Sequence, residues 1–171
     1  MSCTNQVLAG LAKDCDNSMG GIKSVYIANY DDVASVTVSD GKITAIEMAD
    51  AAKFLYYYFR KGTSSFTSTL TVDDPNGVRY WTTELVMSFL RMETKKRLEI
   101  SALSANELAV IIQDANGVYW YLGKDEAVTA STADGQSGTA RGDGNRYSIT
   151  LQDTSVEAPY EIDAAIIEGL I

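Results

Sequence analysis

Two pairs of adjacent carboxylates, Asp31/Asp32 and Asp73/Asp74, come nearest to acid–base chemistry in this chain. Carboxyls at the right separation cleave glycosides, one as acid and the other as base or nucleophile. Here both pairs fall in turn sequences, where Asp side chains accept hydrogen bonds from nearby backbone. They are read as turn residues. Asp14-x-Asp16-x-Ser18 has the spacing of the first half of a calcium loop. Met19 then stands where that loop needs Gly, and Val25 stands where it needs a bidentate Glu. Arg141-Gly142-Asp143 spells an integrin-binding tripeptide, but no export signal accompanies it, so it is read as coincidence.

The remaining inventory is poor in reactive groups. His is absent, which removes the commonest general base and the commonest metal ligand together. Cys3 and Cys15 are read as reduced thiols, which suits a reducing compartment. There is no GxSxG motif, no phosphate-binding loop and no Cys/His metal spacing. Gly20-Gly21 is too short for a phosphate cradle, and Gly41-Lys42 belongs to a turn. The expectation is a protein that is not an enzyme and uses no cofactor or metal.

Its 171 residues, 46% of them hydrophobic, suit one domain spanning 1–171 with a sizeable core. The net charge of −9 argues against tight nucleic-acid wrapping, which needs clustered cations. It is compatible with a wall that DNA slides past, because like charge repels phosphate. Val7-Leu8-Ala9-Gly10-Leu11-Ala12 is too short for a signal core and is interrupted by Lys13. Leu8-Ala9-Gly10 resembles a lipoprotein box, with Leu11 where the Cys belongs. No run approaches a membrane span, so no membrane anchor is expected, and the protein is expected to be made and used in the cytoplasm or to leave only by cell lysis.

Strand signals recur about every ten residues, with Asp-Gly and Asn-Gly turns between them. Ile22 to Tyr30, Val33 to Val38 and Ile43 to Met48 read as strands. Phe54 to Phe59 reads as a strand covered on both faces, because its apolar run does not alternate. Ser65 to Val72 alternates strictly. Phe66, Ser68, Leu70 and Val72 fall on one face, and Ser65, Thr67, Thr69 and Thr71 on the other. After Asp73-Asp74-Pro75-Asn76-Gly77 the return strand repeats the pattern, with Thr82, Glu84 and Ser88 on the hydroxyl side. Thr94 is placed to cap a helix through Ala105, with Leu98, Ala102 and Ala105 as its apolar stripe. Lys95, Lys96 and Arg97 crowd its first turn, where the helix dipole disfavours cations. Contact with an acidic neighbour would relieve that. Leu108 to Ile112 and Val118 to Leu122 form another hairpin. Val128 to Gly144 reads as a strand end plus a loop, and Tyr147 to Leu151 as a strand. Arms are expected at 1–21 and 157–171, the second with Ile162, Ile166 and Leu170 at helical spacing and packing on the core. Leu85, Met87, Phe89, Val110, Ile112, Trp120 and Leu122 are the expected core.

Taken in order, the elements resemble a bacteriophage tail tube protein, the major tail protein of long-tailed phages. The carriers are Gly-Gly-Ile-Lys-x-Val-Tyr-Ile-x-Asn-Tyr, the Thr-rich hairpin from about 54 to 92 and the helix at 94–105. Glu-Leu-Ala-Val-Ile-Ile-Gln-Asp-x-Asn-Gly-Val-Tyr-Trp-Tyr-Leu-Gly and Gly-Thr-Ala-Arg-Gly-Asp-x-Asn-x-Tyr-Ser-Ile-Thr-Leu complete the set. The opening is similar to versions from phages of Bacteroidetes hosts. The resemblance implies an antiparallel β-sandwich or barrel with one flanking helix. It further implies hexameric rings stacked into a hollow tube for the genome, in the virion tail, with other tail proteins at the tube ends. On that footing Ser65, Thr67, Thr69, Thr71, Thr82, Glu84 and Ser88 are expected to line the lumen, touching DNA only in passage. Lys95, Lys96, Arg97, Asp73 and Asp74 are expected at subunit contacts. The alternative is another virion module (tail terminator, neck or head decoration) or a ligand-binding surface β-sandwich.

Overall fold

The computed structural model describes residues 10–13 and 15–171. Cys3, Asp14 and residues 1–9 of the expected arm lie outside them. The described residues are mainly β, with two sheets, two α-helices and one 3-10 turn at Tyr30–Asp32. Its strands are β1 (Ile22–Asn29), β2 (Val33–Ser39), β3 (Lys42–Met48), β4 (Leu55–Tyr57), β5 (Ser65–Asp73) and β6 (Val78–Leu90). After helix α1 (Thr94–Ala105) come β7 (Leu108–Asp114), β8 (Tyr119–Leu122), β9 (Thr129–Gln136), β10 (Arg146–Ser155) and β11 (Tyr160–Ile162). Helix α2 (Ala164–Leu170) follows.

The larger sheet has the order β2-β3-β11-β8-β7-β1-β4, and the smaller β5-β6-β10-β9. All pairings are antiparallel except β11 with β3. Between the sheets, Val25, Ile27, Val110, Ile112 and Leu122 meet Leu85, Met87, Ile149 and Leu151 in one core. The expected core residues fall here, with Phe89 and Trp120 half-buried at its margin. The other face of the larger sheet carries a second core, in which Tyr26, Ile43, Ile111 and Tyr121 pack with Ile167 and Leu170 of α2.

Turn chemistry sets the registers. Asp40 and Gly41 both take positive φ, 52° and 78°, and the Ser39–Lys42 pair closes the β2–β3 turn. This is the left-handed pair that Asp-Gly supplies at least strain. Asp114 holds the β7–β8 turn. Its carboxylate accepts from the backbone N–H of Asn116 (2.8 Å) and of Val118 (3.0 Å), and from Trp120 Nε1 (3.3 Å).

Several expectations need correction. The long hairpin spans 65–90 rather than 54–92, because β4 pairs with β1 in the other sheet. Phe54 and Phe59 are buried, but Leu55 (62% exposed) and Tyr58 (72%) are not. Among the described residues β4 is an edge strand, with no neighbouring strand on that side. α1 has the expected span, yet Thr94 is its first helical residue and Glu93 precedes it without a side-chain cap. Its buried residues are Ile100 and Leu103, whereas Leu98, Ala102 and Ala105 are exposed. Residues 129–136 form a full strand on β10 rather than a strand end. In the C-terminal segment, Ile162 lies in β11, and only residues 164–170 are helical, capped by Asp163, which accepts from Ala165 N at 3.0 Å. Segment 157–171 supplies β11 between β3 and β8, and α2 packs on the second core.

Candidate functional site

β5 and β6 form because Thr, Phe, Leu and Val suit a pleated surface and alternate with period two. Their turn is closed by Gly77 N donating to Asp74 O at 3.1 Å, and Asn76 Nδ2 donating to Asp73 Oδ2 at 2.6 Å. Cross-strand partners share a face. The register sets Thr67 opposite Glu84, Thr69 opposite Thr82, and Ser65 opposite Val86. The expected hydroxyl face is therefore one surface, and Ser65, Thr67, Thr69, Thr71 and Glu84 are exposed on it.

The face extends across the whole smaller sheet. β10 continues each rung, with Gln152 beside Glu84, Thr154 beside Thr82 and Thr150 beside Val86. β9 adds Thr132 beside Thr150 and Asp134 beside Ser148. Four strands thus present hydroxyls, amides and two carboxylates outward. Arg146, at the end, donates to Gln136 Oε1 at 3.4 Å. Sequence reading missed Thr132, Asp134, Thr150, Gln152 and Thr154. The alternation of Tyr147, Ile149 and Leu151 with Ser148, Thr150 and Gln152 carried the signal for β10.

Ser88 departs from the expected lining. It is buried, and beyond the start of β5 the Thr63-Ser64 segment takes over beside it, with Ser88 N donating to Ser64 Oγ at 3.4 Å. Leu70 (45% exposed) and Val72 (49%) do not pack inward with Phe66, Leu85 and Met87. β10 pairs no further along β6 than Trp81, so the tip of the hairpin projects beyond the sandwich. Phe66, nearer the base, packs against Trp120 with ring centroids 6.4 Å apart.

The two groups expected at subunit contacts lie far apart. Asp73 and Asp74 sit at the projecting tip. Lys95 and Arg97 are exposed on the first turn of α1. Lys96 is half-buried there and donates to Leu90 O at 2.5 Å and Arg91 O at 3.2 Å, relieving carbonyls at the end of β6. Beside this turn runs a groove of about 540 Å³ lined by Leu55, Tyr56, Tyr58, Phe89, Lys95 and Glu99. Tyr57 hydroxyl donates to Glu99 across the floor, and burial together with that carboxylate pushes its pKa well up.

One buried acid stands behind the hydroxyl face. Asp153 is 3% exposed and pairs across the sheet with Thr83, whose hydroxyl bonds Ser68 Oγ at 2.8 Å. Burial pushes its carboxyl up to about 6, against the backbone N–H of Gly123, with Asp125 and Glu126 adding to the rise. Among the described residues its Oδ1 has no hydrogen-bond partner. Among the described residues, no three His, Cys, Asp or Glu side chains are grouped to hold a metal ion. Asp31 and Asp32 sit in a 3-10 turn and Asp74 in the β5–β6 turn, while Asp73 is the last residue of β5; Asp32 and Asp73 accept from Asn29 and Asn76. Asp143 accepts from the backbone N–H of Thr139 and Ala140, and these bonds hold its carboxyl below the usual range. No helix among the described residues is long and apolar enough to cross a membrane.

Comparison with protein-family models and with curated proteins finds no match.

Proposed function

We propose that this chain is a structural subunit of a phage tail tube, forming rings that stack into a hollow conduit for DNA. One observation carries the reading. The four-stranded sheet has exposed edge strands on both sides, β5 and β9, and an outward face mainly of hydroxyls, amides and carboxylates, with Tyr80 and Val86 among them and one cation, Arg146, at its end. β5 is nine residues long with no Lys, Arg or Pro, and so lacks the usual devices that stop an edge from pairing. Pairing β5 of one copy with β9 of the next removes both edges when the ring closes.

Size accommodates six copies, the number the resemblance implies. Six four-stranded sheets edge to edge give 24 strands. At about 4.8 Å per strand the circumference is about 115 Å and the diameter about 37 Å, more when the strands tilt. Three copies would give about half that, too narrow for a duplex once side chains fill the wall. The face suits a bore because every cation on a wall adds affinity for phosphate, while hydroxyls and carboxylates add little.

Negative-stain microscopy of the purified protein tests the proposal. Rings or tubes with a central hole are expected. Monomers at high concentration whose melting curve shifts with a small ligand would refute it in favour of a binding module.

A further inference from the structure

Cations gather at one end of the sandwich along the strand direction and carboxylates at the other, with Asp134 and Asp143 as exceptions near the first end and Arg79 near the second. β6 ends, and β10 and α1 begin, at one end of the sandwich. Leu90 pairs with Arg146, Arg91 N donates to Asn145 O at 2.8 Å, and Lys96 reaches back to Leu90 O. The loop before β5 arrives there too, since Thr63 Oγ1 bonds both Arg60 O and Ser88 O. This end carries Arg60, Lys61, Arg91, Lys95, Arg97 and Arg146, all exposed. Arg91 pairs with Glu93, but among the described residues the side chains of Lys95 and Arg97 find no ion-pair partner.

The opposite end is acidic. Tyr30 N donates to Glu107 O at 2.9 Å, Leu108 bridges to Val128, and Val156 N meets Asp125 Oδ2 at 3.4 Å. Glu107, Asp125 and Glu126 line a cleft of about 630 Å³ there, floored by Thr129, Gln152 and Thr154. Asp74 adds a charge on the projecting hairpin. Lys124 is occupied at this end, paired with Asp125 at 3.0 Å and 4.9 Å over the Tyr160 ring.

The two ends are about 18 Å apart along the twelve residues of α1, and about 30 Å along the ten of β10. The Debye length at physiological salt is about 8 Å, so they cannot neutralise each other within one chain. A second copy placed head to tail brings them together.

We infer that the basic end of one copy docks on the acidic end of the next, with Lys95 and Arg97 entering the Glu107–Asp125–Glu126 cleft. This rests on the ring-and-tube reading and gives the stack its direction. Such an interface is heterologous and does not close, so it propagates along an axis. Basic-to-basic and acidic-to-acidic stacking are repelled, and every ring faces the same way.

The test uses the full chain, a Lys95→Glu/Arg97→Glu variant, an Asp125→Lys/Glu126→Lys variant and their equal mixture. Each is followed by electron microscopy and sedimentation at low and high salt, with circular dichroism as the check on folding. The first variant sets two acids opposite Glu107, Asp125 and Glu126, and the second sets two cations opposite Lys95 and Arg97. Each alone should form rings whose mean stack length falls roughly tenfold. The mixture should restore stacks of alternating rings, and wild-type stacks should shorten as salt rises. Stacks of wild-type length from either variant alone overturn the inference, as does a mixture of folded, ring-forming variants that fails to stack. If the wild-type chain forms no rings at any salt, the ring reading itself falls.

Discussion

Replacing Asp153 with Asn should stabilise the protein at neutral pH and change little in acid. The folded carboxyl titrates near 6, against an ordinary 3.8, chiefly because it is buried on the core side of β10. A raised pKa means that the folded state holds its proton more tightly than the unfolded state. That contribution is complete below about pH 4, is lost as pH rises through about 6, and is absent above. The interval from 3.8 to about 6, at about 1.4 kcal/mol per pH unit, sets the loss at no more than about 3 kcal/mol. An Asn amide can accept from Gly123 N–H and has no charge to desolvate. Urea unfolding of both proteins, at one low protein concentration from pH 4 to 8, isolates the effect as a difference. The gain should be near zero at pH 4 and approach about 3 kcal/mol by pH 7.5. For a chain of this size that is roughly 6–12 °C in Tm. A difference independent of pH, or an Asn variant weaker than wild type at pH 7.5, would refute the reasoning.

Met87→Ala should cost about 2–5 kcal/mol in chemical unfolding, because Met87 is fully buried between the sheets and its loss leaves a cavity. Asp114→Ala removes the acceptor shared by the N–H groups of Asn116 and Val118 and should cost about 1–3 kcal/mol, with Trp120 fluorescence reporting a loosened turn. Thr67→Lys/Thr69→Lys places cations on the hydroxyl face without touching the core. Protomer stability should move by less than about 0.5 kcal/mol, while DNA passage through assembled tubes slows more at low salt than at high. Passage indifferent to salt would place that face elsewhere than the bore.

Sequence disclosed what depends on neighbours in the chain. The β2–β3, β5–β6 and β7–β8 hairpins follow from Asp40-Gly41, Pro75-Asn76-Gly77 and Asn116-Gly117, and the alternation of Ser65 to Val72 assigns its two faces. What depends on distant partners was hidden. Leu55 to Tyr58 is apolar enough for a buried strand, yet β4 lies at a sheet edge, which no local pattern records. Leu98 rather than Ile100 headed the expected stripe of α1, because both spacings are helical and only the two sheets decide which side is covered. Thr and Ser within 129–136 look like loop composition, and only pairing with β10 makes them a strand. The candidate face was legible in its β5–β6 half, and β9 and β10 enlarged it by register. The charge polarity was invisible, since Lys95 and Glu126 acquire opposite ends only through the fold.

The position of β11 couples completion of the sheet to the progress of translation. Its three residues sit between β3 and β8, and Lys42 grips Glu161 across 119 positions of sequence. Without them the larger sheet falls into two pieces, the β2–β3 hairpin and the β8-β7-β1-β4 group, each with a raw edge at the break. A nascent chain that has not yet released residues 160–162 therefore cannot join its halves. Truncated products expose two unguarded strand edges, the surface on which misassembly begins. Pairings this distant also make folding slow relative to helix and hairpin formation. Local hairpins can be ready early, while the larger sheet is completed only when β11 arrives.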